Sequence, residues 1–577
     1  MVPATLVRRY LLLGYLWYRR DENRFFCEFV RQSGLPRVER AVITSAGQLK
    51  AEHNATPAAI GRADYVASAV AILSVVAFGS LNLFLPFTGD TALFSMGAEA
   101  LARGDVLYVD FWDNKQPGIY WFFLVAGWLF GFDETGARML ELFWWLAFVV
   151  ISVPLLRPCF RARWLGCLAL AIPVCTYLAA ASAWMATQVE ALVAGPILIS
   201  ALLLVRRGVS DGGWHLRHFF AGVFAAITVT FKLAFAPLFI VLVLFTSAGL
   251  LRQRPKGRHV RPLVTMWIAF TCGVASVLGL VCCVFAVVGG LEDMLWTSFS
   301  YPGKAIANSQ PAPYGRLLQI ARLLVVVLIP WSPAILISLA PSKGTNTAAV
   351  HRNRLARLMW MWLVAGSAVL LIQRFSWWPY HATVLIFPAC ILAVCGIDAA
   401  LARVEKSKTP TRNRLTITFC MLVIPGILAG AYHVRKKAPK SFDAISHGSD
   451  ETWRHHTDSE EYTQAIEIAA AFHQLDPEPG EIYVFGNPLV YRFTNRTQAL
   501  PVHGWAWEFF IDEQWDALPD QLEKHKPPYI FCTSGYLSLI GKKSFTTQTI
   551  LKTDYVEAAQ TSTGNWYARH DIEERDR

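Results

Sequence analysis

Eleven apolar runs, most of them close to twenty residues long, constrain this chain more than any other feature. They cover residues 65–86, 137–156, 164–183, 187–205, 219–231, 233–251, 263–289, 317–340, 355–372, 380–400 and 415–433. A bilayer core about 30 Å thick needs roughly 20 such residues to be crossed by a helix. Charged residues make up only 16% of the 577 positions, against about 25% in soluble domains. The 21 Trp and 36 Phe suit aromatic belts at a membrane surface. The chain is expected to be a polytopic α-helical membrane protein of about eleven spans.

The net charge of +11 does not indicate nucleic-acid binding, because the Lys and Arg residues lie between apolar runs and form no single patch. Instead they set orientation. One set of connecting loops carries twenty of them, including Arg157, Arg206, Lys256, Arg352 and Arg412, and the other set carries eight. The richer side is the cytoplasmic one. With ten Lys or Arg before residue 65, the N-terminal extension (1–64) is expected on that side too. Its run LLLGYLWY lies between arginines and lacks a small-residue cleavage site, so no cleaved signal is expected. An odd number of spans then places the C-terminal region outside a plasma (inner) membrane. A further apolar run, 118–131, is short for a span and is read as an interfacial or re-entrant helix on the outer face.

From residue 435 charges return and apolar runs shorten. EIYVFG and PYIFCTS read as buried strands, and 458–474 and 512–525 have helical spacing. The division is therefore a cytoplasmic extension (1–64), a transmembrane domain (65–434) and an extracytoplasmic α/β domain (435–577). Ten of the eleven Cys lie outside that last domain, which holds only Cys532 and so has no internal disulfide. No nucleotide-binding loop or zinc spacing occurs.

Unusual residues concentrate in the outer connections. After the first run comes TGDTALFSMGAEALARGDVLYVDFWDNKQPG, with Asp90, Glu99, Asp105, Asp110, Asp113 and Lys115 close together. Residues 90–102 have helical spacing with Leu93, Met96, Ala100 and Leu101 on one side. They predict a helix lying along the membrane surface and stopped by Gly104. Phe111, Trp112, Tyr120 and Trp121 interleave the charges. Glu190 stands near the outer end of a span, where an ionisable group usually faces a cavity or a partner. Lys232, between two spans, is either such a partner, a phosphate ligand or a snorkelling side chain. The connection 290–316 centres on Lys304, and its Pro and Gly content argues against a rigid helix. A later turn, QRFSWWPYH, brings Arg374, Tyr380 and His381 among aromatics.

In this order, these segments resemble the C-type superfamily of membrane glycosyltransferases, in its aminoarabinose lipid A transferase and protein O-mannosyltransferase branches. The likeness rests on Asp90 past the first span, the following A-x-x-L-x-x-G-D segment, and YVDFWDNKQPGIYWFFLVAGWLFG. It continues with Glu190, with Lys232 in TFKLAFAP, and with the PYH turn before a span containing Pro388. It covers roughly residues 65–400 and reaches the C-terminal domain only in outline. The resemblance implies an enzyme that takes a sugar from a polyprenyl-phosphate carrier on the outer side of the membrane. It also implies that Asp90 is the catalytic carboxylate and Lys115 a ligand of the carrier phosphate. Two departures stand out. The common Lys-Pro-Pro is Lys115-Gln116-Pro117 here, and Leu93 replaces an Arg three residues after the first Asp. Both shift phosphate binding towards Lys115 and Lys304.

A phosphate-linked sugar already has a good leaving group. The reaction therefore needs a base for the acceptor hydroxyl and cations for the departing phosphate. Asp90, at a partly dehydrated boundary, is the expected base, with Asp113 and Glu190 as further catalytic candidates. Lys115, Lys304 and Lys232 are the expected phosphate ligands. Asp110, Arg374, Tyr380 and His381 are secondary candidates. Direct attack predicts inversion at the anomeric carbon. No cofactor is required by any spacing, although Asp110 and Asp113 are compatible with a divalent metal. Expected partners are the donor lipid, a lipid, glycan or protein acceptor and membrane lipids, without nucleic acid. The outer domain either recognises the acceptor or caps the site. A transporter or flippase of a lipid-linked sugar is the alternative reading.

Overall fold

The computed structural model describes residues 61–205, 214–252, 261–308, 311–340, 347–373, 376–405, 412–447 and 460–572. The N-terminal extension, apart from its last four residues, lies outside the described residues, and so does Arg374. Among the described residues nine helices are long and apolar enough to cross a membrane. Two shorter apolar helices, Val189–Leu204 and His215–Phe231, fall on the two remaining runs expected from sequence.

The most enclosed of these helices is Pro379–Glu405, whose best apolar window is 94% buried, whereas that of Asn413–Asp443 is only 11% buried. An all-round apolar helix belongs at the centre of a bundle, and one with an exposed apolar face belongs at its rim. The central helix has Tyr380 and His381 at its start. Near its other end is Asp398, in a buried ion pair with Arg352 (2.5 Å). The Asp398 carboxylate also accepts from the Ala162 N–H (3.0 Å).

Two helices from the connection after the first span pack against the bundle. Gly89–Arg103 ends where Gly104 adopts φ +99°, a left-handed conformation that favours glycine. The expected one-sided surface helix is not what forms. Phe94, Ser95, Gly97 and Ala98 are buried along with Leu93 and Ala100, so the helix is enclosed on most of its circumference. The cause is the segment that follows: Phe94 packs against Tyr120 and Phe123, and Gly97 lies against Tyr120 and Phe111, while Trp505 of the C-terminal domain covers the start of the helix. Pro117–Phe130 begins on a proline, which needs no hydrogen-bond partner at a helix start. It is 14 residues long and exposes Trp128 and Leu129 at its far end.

The connection 290–316 departs from expectation. Leu291–Leu295, a π-helical turn Trp296–Ser300 and Tyr301–Asn308 make a nearly continuous helical run. Pro302 lacks the N–H that would continue the ladder, and it falls directly after the π turn, where the regular bonding pattern is already interrupted.

The C-terminal domain is built on a four-stranded sheet in the order β1-β2-β4-β3. Strands β1 (Ile482–Phe485) and β2 (Tyr529–Thr533) pair in parallel, and both are continuous apolar runs buried on each face, as read from sequence. Strands β3 (Tyr555–Gln560) and β4 (Gly564–Arg569) form an antiparallel hairpin on the open side of β2. Their mixed, half-exposed pattern gave little sequence signal. Helices Glu460–His473 and Asp512–His525 coincide with the two helical segments expected.

This domain is docked onto the connection after the first span and onto the helical run from residue 291 by several independent contacts. The Trp112 N–H donates to the Pro501 carbonyl (2.9 Å) and its indole Nε1 donates to the Thr297 hydroxyl (3.1 Å). The same ring meets Tyr301 and Phe510 edge-on and stacks near His503. Arg492 donates to the Glu134 carboxylate (2.6 Å) and to the Phe132 carbonyl (3.2 Å).

Candidate active site

The ionisable residues singled out in the sequence converge at the seam between the helical bundle and this domain. Asp90 lies in the first turn of Gly89–Arg103. The Thr91 hydroxyl accepts from the Thr88 N–H (2.8 Å) and fixes where that helix starts. A carboxylate is favoured there by the helix dipole. Asp90 Oδ2 accepts from the Tyr380 hydroxyl (3.0 Å), supplied by the central helix. Its Oδ1 accepts from the Trp505 indole Nε1 (3.4 Å), supplied by the C-terminal domain. Trp505 lies so close over Gly89 that a Cβ there would come within 2.7 Å of the ring. Only glycine lets the indole reach the carboxylate.

On the bundle side, Lys232 and Glu190 form an ion pair of 2.5 Å, with Glu190 almost fully enclosed. His381 Nε2 lies 3.5 Å from the same Glu190 oxygen. Gln116 closes this group by accepting from the Leu233 N–H (3.2 Å). The ion pair answers for Lys232 directly: its ammonium has a carboxylate partner and does not snorkel alone.

Asp113 sits on the other side. It is buried, and its carboxylate accepts from the Tyr120 hydroxyl, from the Asn114 N–H (2.6 Å) and from His503 (3.3 Å). His503 Nδ1 accepts from the Trp505 N–H (3.2 Å). That leaves Nε2 to carry the hydrogen given to Asp113. Burial opposes the Asp113 charge, but the Lys115 cation, His503 and the Tyr120 hydroxyl outweigh it and hold the carboxyl well below the usual range. Such a group is an anchor, because a carboxyl so firmly ionised is a poor acid.

Lys115 occupies the space between these groups, partly buried, with its ammonium 3.0 Å from the Asn114 side-chain oxygen. Burial disfavours its charge, yet Asp113, Asp90 and Glu190 together raise its pKa. It is a permanent cation facing three carboxylates. Its carbonyl is held by the Tyr108 hydroxyl (2.7 Å). Arg316 also stands nearby, stacked 3.9 Å over the Trp378 ring and within electrostatic reach of Tyr380.

Two predicted residues are not brought here. Lys304 pairs with Glu513 (2.5 Å) on the open surface of the C-terminal domain. Asp110 is exposed and accepts from the Val106 N–H (2.8 Å), shaping its own turn. Among the described residues no group of three His, Cys, Asp or Glu side chains is placed to hold a metal ion. The site also contains residues that sequence reading missed: His503, Trp505 and Glu461 from the C-terminal domain, and Arg316. The available signal for the first two was a His followed by Trp505 and Trp507 in the apolar, aromatic run PVHGWAWEFF.

Known proteins sharpen this picture. In sequence, no family model and no curated protein matches the chain. Among solved structures, ArnT from Cupriavidus metallidurans bound to undecaprenyl phosphate superposes with a TM-score of 0.53. The match has 16% identity and covers 87% of this chain and 97% of that one. The fold is that of ArnT. The apo form of the same protein matches over the same shares at a TM-score of 0.52 and 16% identity. The likeness thus extends beyond residue 400 into the C-terminal domain. The resemblance read from the first outer loop holds at the level of the whole architecture.

Proposed function

We propose that this chain is an integral-membrane glycosyltransferase that moves a sugar from a polyprenyl-phosphate carrier to a hydroxyl acceptor at the outer face of the membrane. One observation carries the reading. Asp90 is held at the seam between the bundle and the C-terminal domain by Tyr380 and Trp505 from distant segments, and Lys115, bonded locally through Asn114 and Tyr108, carries a positive charge that Asp90 helps to stabilise. A base and a phosphate-binding cation at headgroup depth are what the reaction requires. The undecaprenyl phosphate bound to ArnT supports a lipid-phosphate carrier as the donor's anchor.

In this mechanism Asp90 takes the proton of the acceptor hydroxyl as its oxygen attacks the anomeric carbon. Tyr380 and Trp505 hold the carboxylate in place. The bond to the carrier phosphate breaks, and Lys115 balances the charge gained by the leaving phosphate. The transition state is oxocarbenium-like and attack from the opposite face inverts the anomeric carbon. Lys232 and Glu190 neutralise each other and serve to position the cluster. Orientation follows the Lys and Arg bias, with the N-terminus cytoplasmic, the site on the outer face, and the domain boundaries near residues 64 and 434.

The test is incubation of purified protein with a panel of polyprenyl-phosphate sugars and hydroxyl acceptors, with mass analysis of the carrier phosphate released. The wild type is expected to consume at least one donor, and Asp90→Asn to bind that donor without consuming it. A flippase would move the lipid equally well with either residue, and that result would overturn the reading.

A further inference from the structure

Glu461 is a carboxyl that the mechanism above leaves unused. It belongs to helix Glu460–His473 of the C-terminal domain, 371 residues from Asp90 in sequence, yet it faces the start of the Asp90 helix. The Gly89 N–H and the Asn487 side chain donate to it. Its Oε2 atom is buried and has no hydrogen-bond partner. A buried carboxyl oxygen without a partner is costly and calls for a reason.

Proton traffic supplies one. After each transfer Asp90 holds the proton taken from the acceptor hydroxyl, and it must lose that proton before it can act again. The neighbours on the bundle side cannot take it. Lys115 is a cation held in its protonated form, and Asp113 is held firmly ionised. Glu461 differs. Burial is the main cause that lifts its pKa, to about 7, against the Asn487 and Gly89 hydrogen bonds, with the charges of Asp90 and Glu460 adding to the rise. Those two carboxylates, one on the facing helix and one on its own, are the charged groups that bear on it. Ionised Glu461 is thus a stronger proton acceptor than an ordinary carboxylate, and near neutral pH it still gives the proton up to water.

We propose that Glu461 is the proton outlet of the site, taking the acceptor-derived proton from Asp90 and passing it to solvent. This rests on the glycosyltransferase reading. The balance is simple: the acceptor O–H bond breaks, its proton moves to Asp90, then to Glu461, then to water. The electron pair of the cleaved sugar–phosphate bond stays on the carrier phosphate. The C-terminal domain is then part of the chemistry and more than a cover.

The experiment compares wild type with Glu461→Gln in the donor-consumption assay as a function of pH. Glutamine can accept from the Gly89 N–H and Asn487 but cannot ionise. The variant is expected to lose about 10- to 100-fold in kcat with KM unchanged. It should lose the rate dependence centred near neutral pH, and regain rate when imidazole is added as a diffusible proton acceptor. A variant with wild-type kcat and pH profile overturns the inference. So does a loss that imidazole does not restore or that appears in KM, which would mark Glu461 as purely structural. Infrared titration of the carboxyl band, wild type minus Glu461→Gln, adds a readout that needs no substrate. Protonation should centre near neutral pH and move lower in Asp90→Asn, and an ionised Glu461 throughout that range overturns the inference. Failure of the wild type to consume any donor, by contrast, counts against the glycosyltransferase reading itself.

Discussion

The two halves of the site are built by different means. On the bundle side, Glu190, Lys232 and His381 form a charge-paired group inside apolar helices. On the domain side, Trp505, His503 and Glu461 reach the same place through single hydrogen bonds and aromatic packing. A charge in a membrane helix must be compensated locally, so the bundle half is settled by its own pairs. The domain half depends on where a separate domain docks. The contrast predicts that lesions on the bundle side unfold the site, whereas lesions on the domain side leave it folded and idle.

The largest effect tests the group on which both halves converge. Asp90→Asn is expected to cut kcat by roughly 10²–10⁴-fold with donor binding retained, as measured by titration with the lipid. If binding is lost as well, Asp90 holds the structure together and the two-halves picture fails. Next comes Glu190→Gln, which strands the Lys232 ammonium in a nearly closed environment. Breaking a buried pair from one side costs about 3–5 kcal/mol, so the melting temperature in detergent should fall clearly. A stable but inactive Glu190→Gln would move Glu190 from scaffold to chemistry.

His503→Ala should be milder, about 1–3 kcal/mol for one lost hydrogen bond to a buried carboxylate, and should reduce turnover more than thermal stability. The same Asp113 gives a pH signature. Its pKa is lowered in the folded chain, so its stabilising contribution is complete above the ordinary carboxylate pKa of about 3.9. That contribution is lost as the pH falls towards the folded value. Asp113→Asn should therefore flatten the acid side of a plot of melting temperature against pH, leaving the neutral side lower but parallel. The smallest effect is expected at the exposed Lys304–Glu513 pair. Lys304→Ala should leave donor affinity and turnover unchanged, and a weaker donor affinity would extend the phosphate site out to the surface.

The same contrast explains what the sequence disclosed. Glu190, Lys232 and His381 were legible because an ionisable residue in an apolar run has few bland explanations. Asp90 and Lys115 were legible through the spacing of a recognisable outer segment. His503, Trp505 and Glu461 were not, because such residues are ordinary in a polar domain and only a contact across 390 residues, as between Asp113 and His503, gives them meaning. The one-sided reading of residues 90–102 failed because Phe111, Tyr120 and Phe123 fold back over Phe94 and Gly97, a packing that helical spacing alone does not disclose. The strands β1 and β2 could be read from composition, whereas the β3–β4 hairpin could not.

The Trp112–Pro501 main-chain contact has a bearing on how the protein is made. The ribosome delivers the loop after the first span to the membrane long before it reaches residue 501 and, with it, Trp505 and His503, the partners that the C-terminal domain supplies to Asp90 and Asp113. Until then the growing polypeptide carries two carboxylates without the indole and the imidazole that reach them in the folded chain. The seam is therefore complete only once the segment carrying Trp505 and His503 has folded back onto the loop after the first span.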